Sequence, residues 1–225
     1  MTNRELIYMI LDQARLVTDD ISLNEQHVLF LANKVRAALL SQKYKTVKLE
    51  VSDANYQVLC IELEESHKGS ECAGESVVRS TVRVPNRLNI GNDLVTPYDY
   101  LKGINISFIS IERMRFVGSN KYLQNIIYAA IGHDGYLYMK SSNPLFRYMN
   151  RAKVTAVFED AIAASEYECD NECEVWDRTF PIEDTLTNAL IEGVVREITG
   201  SAYHPKDDRN NANDDSDKVA VQKAK

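Results

Sequence analysis

Apolar residues in the first 44 positions recur at intervals of three and four, the period of a helix with one buried face. Leu6, Ile7, Ile10, Leu11, Ala14 and Val17 make one such face, and Val28, Leu31, Ala32, Val35, Ala38 and Leu39 make a second. Each run opens on a capping-box pattern, Thr2-Asn3-Arg4-Glu5 and Ser22-Leu23-Asn24-Glu25. In that pattern the hydroxyl and the Glu carboxylate each accept a backbone N–H that the helix leaves unpaired. With Thr18-Asp19-Asp20 as the polar turn between the runs, the pattern predicts a helical hairpin over 1–44.

From residue 45 the period shortens toward two, and 45–158 reads as a mainly β region. Tyr56 to Leu63 and Val77 to Val84 are rich in β-branched and apolar residues and predict two strands, with an acidic Gly-containing loop from Glu64 to Glu75 between them. Pro85 to Lys102 carries turn signals without periodicity and is predicted to be a connecting loop or a protrusion. Leu123 to Lys140 has two apolar and aromatic runs around Gly132-His133-Asp134-Gly135, which predicts an antiparallel hairpin. Ile126, Tyr128 and Ala130 would share one face of it, and Ile127, Ala129 and Ile131 the other. With both faces apolar, the hairpin needs cover on two sides, from the chain's own helices and from a neighbouring subunit. The pair Asn143-Pro144 ends the second run, and Ala152 to Phe158 resumes alternation.

The remaining 159–200 divides into an acidic stretch and a last helix. Pro181 and the pair Glu183-Asp184 precede Leu186, Ala189, Leu190, Ile191, Val194, Val195 and Ile198 at helical spacing, and Gly200 is the predicted stop. The segment 201–225 has no apolar periodicity and matches five acidic side chains with five basic ones, so it is an extended tail that needs a partner to order it. The fold class is α+β: an N-terminal helical hairpin and a C-terminal helix packed with an antiparallel β-hairpin region, in one domain over 1–200, followed by the tail.

Composition narrows the function. A formal net charge of -7 and a pI near 5.2 argue against neutralising a phosphate backbone, so sequence-specific nucleic-acid binding is not expected. From Glu159 to Asp184 ten acidic residues face a single basic one, Arg178, and the bland reading of this stretch is a solvated acidic loop. No apolar run reaches the roughly 20 residues of a membrane helix, and the amino terminus lacks the pattern of a secretory leader.

Catalytic motifs are not found: there is no phosphate-binding glycine loop, nucleophile elbow or zinc-helix signature, and His27, His67, His133 and His204 lie far apart in the sequence. No catalytic residue, cofactor or metal site is expected, and the chain is not read as an enzyme. Cys60, Cys72, Cys169 and Cys173 are too scattered for a disulfide framework and are read as incidental. A zinc site built on Cys169 and Cys173, which would make the chain a small zinc-binding module, and a virion disulfide stand as the alternatives. Twelve tyrosines, Tyr136-Leu137-Tyr138 among them, suit either an interface or ordinary strand packing.

Longer runs carry a resemblance. Arg113-Met114-Arg115-Phe116-Val117-Gly118, Asn120 to Tyr128, Gly132 to Tyr138, Lys140 to Pro144, Phe158-Glu159-Asp160-Ala161 and Phe180 to Asp184 resemble structural proteins of crAss-like phages that infect gut Bacteroidales. The order of helix pair, β region, helix and tail is similar to that of the adaptor proteins beneath the portal of short-tailed phages. The resemblance implies a virion structural protein at the head-to-tail junction or upper tail. It would be a connector subunit in a homo-oligomeric ring of about twelve copies, bound to the portal protein and to neighbouring ring proteins, with DNA passing through. Another tail-ring or tail-hub position in the same virion is the alternative. In this reading Ile126, Tyr128, Tyr136 and Tyr138 form an inter-subunit hairpin surface. Glu166, Glu168, Asp170, Glu172 and Glu174 face the lumen, and Tyr203, His204, Pro205, Lys206 and Arg209 belong to a docking tail.

Overall fold

A computed structural model describes residues 1–17, 24–46, 50–66, 77–91, 94–97, 105–117, 121–123, 125–143, 146, 148–169 and 174–201. The helical hairpin is present as α1, Asn3–Val17, and α2, Glu25–Thr46. At the head of α1 the Thr2 hydroxyl accepts from the Glu5 N–H at 3.2 Å and the Glu5 carboxylate accepts from the Thr2 N–H at 2.8 Å, the reciprocal pair expected of a capping box. The cap of α2 differs from the expectation. Asn24 Oδ1 accepts from the Gln26 N–H at 2.9 Å, because its short amide sits directly before the first helical residue, whereas Ser22 lies outside the described residues. The last long helix, α4, spans Asp184–Ser201, so Gly200 falls in its final turn and not after it.

Seven strands form one mixed sheet: β1 Gln57–Ser66, β2 Val77–Arg83, β3 Leu94–Pro97, β4 Asn105–Phe108, β5 Ile126–Ile131, β6 Tyr136–Lys140 and β7 Arg151–Ala156. Their order is β3-β7-β1-β2-β6-β5-β4, antiparallel throughout except for the β4–β5 pair. The two outer strands, β3 and β4, lie beside each other, so the sheet rolls round on itself like a barrel. One arises where the sequence predicts a loop, and the other where it predicts no particular element. The loop expected over Pro85 to Lys102 contains β3 and an isolated bridge from Arg87 to Phe158, and β4 follows unpredicted. At four residues each, these strands are too short to show a period, and their pairing partners are distant in sequence.

The inner face carries Leu59, Ile61, Val78, Ile127, Ala129, Leu137, Met139, Ala152 and Val154, with Phe146 and Phe158 also in this core. Alternation along β5 and β6 therefore points one predicted hairpin face inward. At Gly135, which closes the hairpin turn, φ is +82°, a conformation that costs glycine little. Between Arg79 and Arg83 the register slips, and the buried Ser80 hydroxyl covers the gap by accepting from the Leu137 N–H at 3.0 Å and donating to the Val82 carbonyl at 2.7 Å.

A second core packs Leu6, Ile7 and Ile10 of α1, Val28, Leu29 and Ala32 of α2, and Leu190, Ile191 and Val194 of α4 around Phe180 and Ile182. Here α2 and α4 cross closely enough that a Cβ on Gly193 would stand 2.8 Å from Val35. The face of α2 is rotated from the predicted one. Ala38 is exposed, and the buried stripe runs Val28, Ala32, Arg36, Leu40, Tyr44.

At the middle of that stripe is a fully buried guanidinium. Arg36 donates to the carbonyls of Pro181 at 2.6 Å, Phe158 at 2.8 Å and Asn55 at 3.3 Å. These are the chain segments entering α4, leaving β7 and entering β1, so one side chain ties the helical layer to the barrel. Burial lowers its pKa to about 10 against the opposing pull of Asp160, which still leaves it charged at neutral pH.

Candidate functional site

With the barrel interior filled, what remains for function is surface. Among the described residues no three His, Cys, Asp or Glu side chains gather as a metal site, and no helix is long and apolar enough to cross a membrane.

The outer face of the β2–β6–β5 flank is the first candidate surface. Cross-strand pairing sets Glu64, Arg79, Tyr138 and Ala130 in one row. Arg79 bonds Glu64 at 2.5 Å and lies 4.7 Å over the Tyr136 ring, which Arg83 approaches at 5.8 Å. Ile126, Tyr128, Tyr136 and Tyr138, the predicted hairpin surface, are all half-buried, and the structure brings them together on this flank. Part of their cover is thus intramolecular. At the hairpin tip the Asp134 carboxylate accepts from the Tyr138 hydroxyl at 2.6 Å and from the Tyr136 N–H at 3.2 Å.

Burial pushes the Asp134 carboxyl up, but those two donors, its own backbone N–H and the charge of Arg79 together offset it and hold the carboxyl below the usual carboxylate range. The stabilisation this gives the hairpin is complete above the unfolded pKa of about 4 and disappears as pH falls through the lower folded value. Replacing Asp134 with Asn should therefore flatten the acid limb of the unfolding curve below about pH 4. An unchanged pH dependence in denaturant titrations would assign that limb to other carboxylates.

Just past β4, a turn of 3-10 helix at Ile111–Phe116 packs on β5 and is pinned by the buried Met114. It holds Phe116 out at 86% exposure, with Arg113 and Arg115 exposed beside it. Nothing in the sequence reading singled out this aromatic as a surface feature, because a lone Phe after Arg115 carries no period.

The third surface is a groove of about 380 Å³ lined by Leu29, Phe30 and Asn33 of α2, Ile162 of the short α3 (Ala161–Ser165), and Val175 and Trp176. Phe30 is half-exposed, and Lys34 lies 4.6 Å over its ring. One wall is set by a local network. Asp160 Oδ1 caps α3 by accepting from the N–H groups of Ile162 and Ala163 and also accepts from Asn33 Nδ2 at 2.7 Å, while Asn33 Oδ1 accepts from the Ala161 N–H. Asp160 also lines the groove, and Glu174 and Asp177, the chain neighbours of its wall residues Val175 and Trp176, are exposed, with Asp177 paired to Arg4 at 3.2 Å.

The acidic stretch is not one continuous face. Glu168 accepts from Gln57 Nε2 at 3.0 Å, and Glu183 accepts from Lys43 at 2.6 Å and the Tyr44 hydroxyl at 3.0 Å. Of the five residues expected at a lumen, Glu166 and Glu174 are exposed, Glu168 is bonded to the barrel, and Asp170 and Glu172 lie outside the described residues. The tail residues Tyr203, His204, Pro205, Lys206 and Arg209 lie outside them too.

The reading of the cysteines as incidental is overturned in favour of the disulfide alternative. Cys60 on β1 is joined to Cys169 by a disulfide, with Cα atoms 4.9 Å apart and a sequence separation of 109. The two meet because the bridge from Leu59 to Glu168 and the Cys60 N–H bond to the Tyr167 carbonyl lay that segment along β1. Cys169 is therefore neither incidental nor a zinc ligand; Cys72 and Cys173 lie outside the described residues.

Comparison with known proteins bears on which assembly these surfaces serve. The model of a family described as phage tail ring protein 2 matches residues 5–216. The chain is also 47% identical over 221 residues to "Ring protein 2" of Bacteroides phage crAss001, covering 96% of this chain and 98% of that protein.

Proposed function

The chain belongs to the phage tail ring protein 2 family, and from that premise we propose that it is one subunit of a closed virion ring at the head-to-tail junction, beneath the portal. The ring has about twelve copies, matching a portal's symmetry, and leaves an axial passage for DNA. The family is a structural one, not an enzyme family. The observation that carries the reading is the near full-length similarity to a ring protein, and the surfaces agree with it. A subunit that closes a ring through head-to-tail contacts needs two different flanks, and this one has an aromatic and cationic flank beside β5 and an acidic groove beside α2.

The charge of -7 suits a conduit, because an acidic wall repels the DNA backbone and lets it slide. In this proposal Glu166 and Glu174 contribute to that wall, the hairpin surface of Ile126, Tyr128, Tyr136 and Tyr138 faces a neighbouring subunit, and the tail around Tyr203 to Arg209 docks on the adjoining ring. The family's description as a tail ring favours a second reading, a position lower in the tail without portal contact.

Native mass spectrometry of the protein alone and after mixing with its portal separates the two. Joining the portal in about twelve copies supports the junction; rings that ignore the portal support the lower position; a monomer in both samples overturns the ring itself.

A further inference from the structure

We infer that neighbouring subunits are joined by insertion of Phe116 of one copy into the groove between α2, α3 and Trp176 of the next. The inference rests on the ring reading and names the contact that builds the ring.

Position comes first. In the rolled sheet β1 and β5 are three strands apart by way of β2 and β6, and with β3 beside β4 this is the widest separation that a closed curve of seven strands allows. The groove belongs to the β1 side, since α3 packs on β1; the Phe116 turn belongs to the β5 side. The two therefore stand on opposite flanks, and a contact that pairs different surfaces on opposite flanks propagates from copy to copy until a rotation closes it.

Complementarity comes second. Phe116 is a large apolar side chain held almost wholly in solvent by a turn that is itself anchored: Met114 is buried beneath it, the Arg113 N–H donates to the Ser110 carbonyl at 3.0 Å, and Glu112 lies 3.7 Å from His133. Such rigidity lowers the ordering cost of binding. The groove offers an apolar concavity of about 380 Å³, room for an aromatic ring, with Trp176, Ile162 and the half-exposed Phe30 as walls. Charge completes the match. Arg113 and Arg115 are exposed on the same turn as the knob, and Asp160 lines the groove with Glu174 exposed next to its wall residue Val175; Asp177 is held by Arg4, and the cation Lys34 lies over Phe30. An aromatic anchor entering a preformed pocket with charges at the rim is the usual anatomy of an interface hot spot.

Two variants of the full chain test it, under the conditions in which the wild type assembles. Phe116→Glu spoils the knob and leaves the groove; Phe30→Glu spoils the groove and leaves the knob. Both sites are solvent-exposed, so each variant should keep the wild-type circular dichroism and melting profile. Each alone should be monomeric in native mass spectrometry, with association weakened about thirty-fold or more. Mixed in equal amounts they should form a two-subunit complex and stop there, because one intact contact remains between them. Rings formed by either variant alone, or a mixture that stays monomeric, overturn this contact while leaving the ring reading in place. A wild type that never assembles overturns both. If a variant misfolds, p-benzoylphenylalanine at position 116 replaces it as the test: crosslinks to residues 24–46, 160–165 or 174–183 of another copy support the contact, and crosslinks confined to other segments refute it.

Discussion

Replacing Arg36 with Ala is expected to cost about 3–5 kcal/mol of folding stability, from carbonyls left without donors and from the cavity that a fully buried side chain leaves. The guanidinium is fully buried and donates to the carbonyls of Pro181, Phe158 and Asn55. Truncation leaves those three acceptors without their cation and opens a cavity at the junction of the two cores. Lysine should not rescue it. A single ammonium on a flexible stem lacks the planar fork that reaches three carbonyls at once, and it loses its charge more readily when buried. The check is a denaturant titration. The midpoint should fall sharply for Arg36→Ala and nearly as far for Arg36→Lys, whereas a loss under about 1 kcal/mol for either would mean that water or a shifted backbone replaces the three bonds.

Opening the disulfide should have the next largest effect. A bridge that closes a loop of 109 residues restricts the unfolded chain, and such bridges contribute about 2–4 kcal/mol. For a chain of this size that corresponds to a fall in Tm of roughly 5–15 °C on reduction, or in a Cys60→Ser, Cys169→Ser double variant. Far-UV circular dichroism should change little, since β1 keeps its ladders with β2 and β7. Non-reducing peptide mapping should recover Cys60 linked to Cys169. Four alkylatable thiols in protein taken from mature particles would mean that the bond does not form there. A host cytoplasm is reducing, so the bond is expected to form once the assembled protein leaves it.

Both predictions rest on features that the sequence reading did not specify: it passed over Arg36, and it held a disulfide only as an alternative with no pairing. Arg36 occupies the fourth-residue stripe of Val28, Ala32, Leu40 and Tyr44, and a charge inside an apolar stripe is the signal that could have exposed it. Reading the face through Leu31, Val35 and Ala38 instead missed it, because the three carbonyls that satisfy Arg36 come from segments far away in the chain. The disulfide gave less warning still. Nothing in a separation of 109 residues says that two cysteines will meet, and only the path of the chain after α3 along β1 brings them to 4.9 Å.

Local information did determine a good deal. The capping box at Thr2 and Glu5, the faces of α1 and α4, and the hairpin around Asp134-Gly135 follow from side-chain spacing and turn chemistry, which act within a few residues and are therefore written in the sequence. The family resemblance was also present there, in runs such as Arg113 to Gly118. Tertiary structure alone decided the rest: that β3 and β4 exist, that the sheet rolls up and fills its own interior, that the acidic stretch is divided among several partners, and that Phe116 and the Phe30 groove stand on opposite flanks. Each of these depends on which distant segments become neighbours, and that is settled by the packing of two cores together, a property no short window of residues contains.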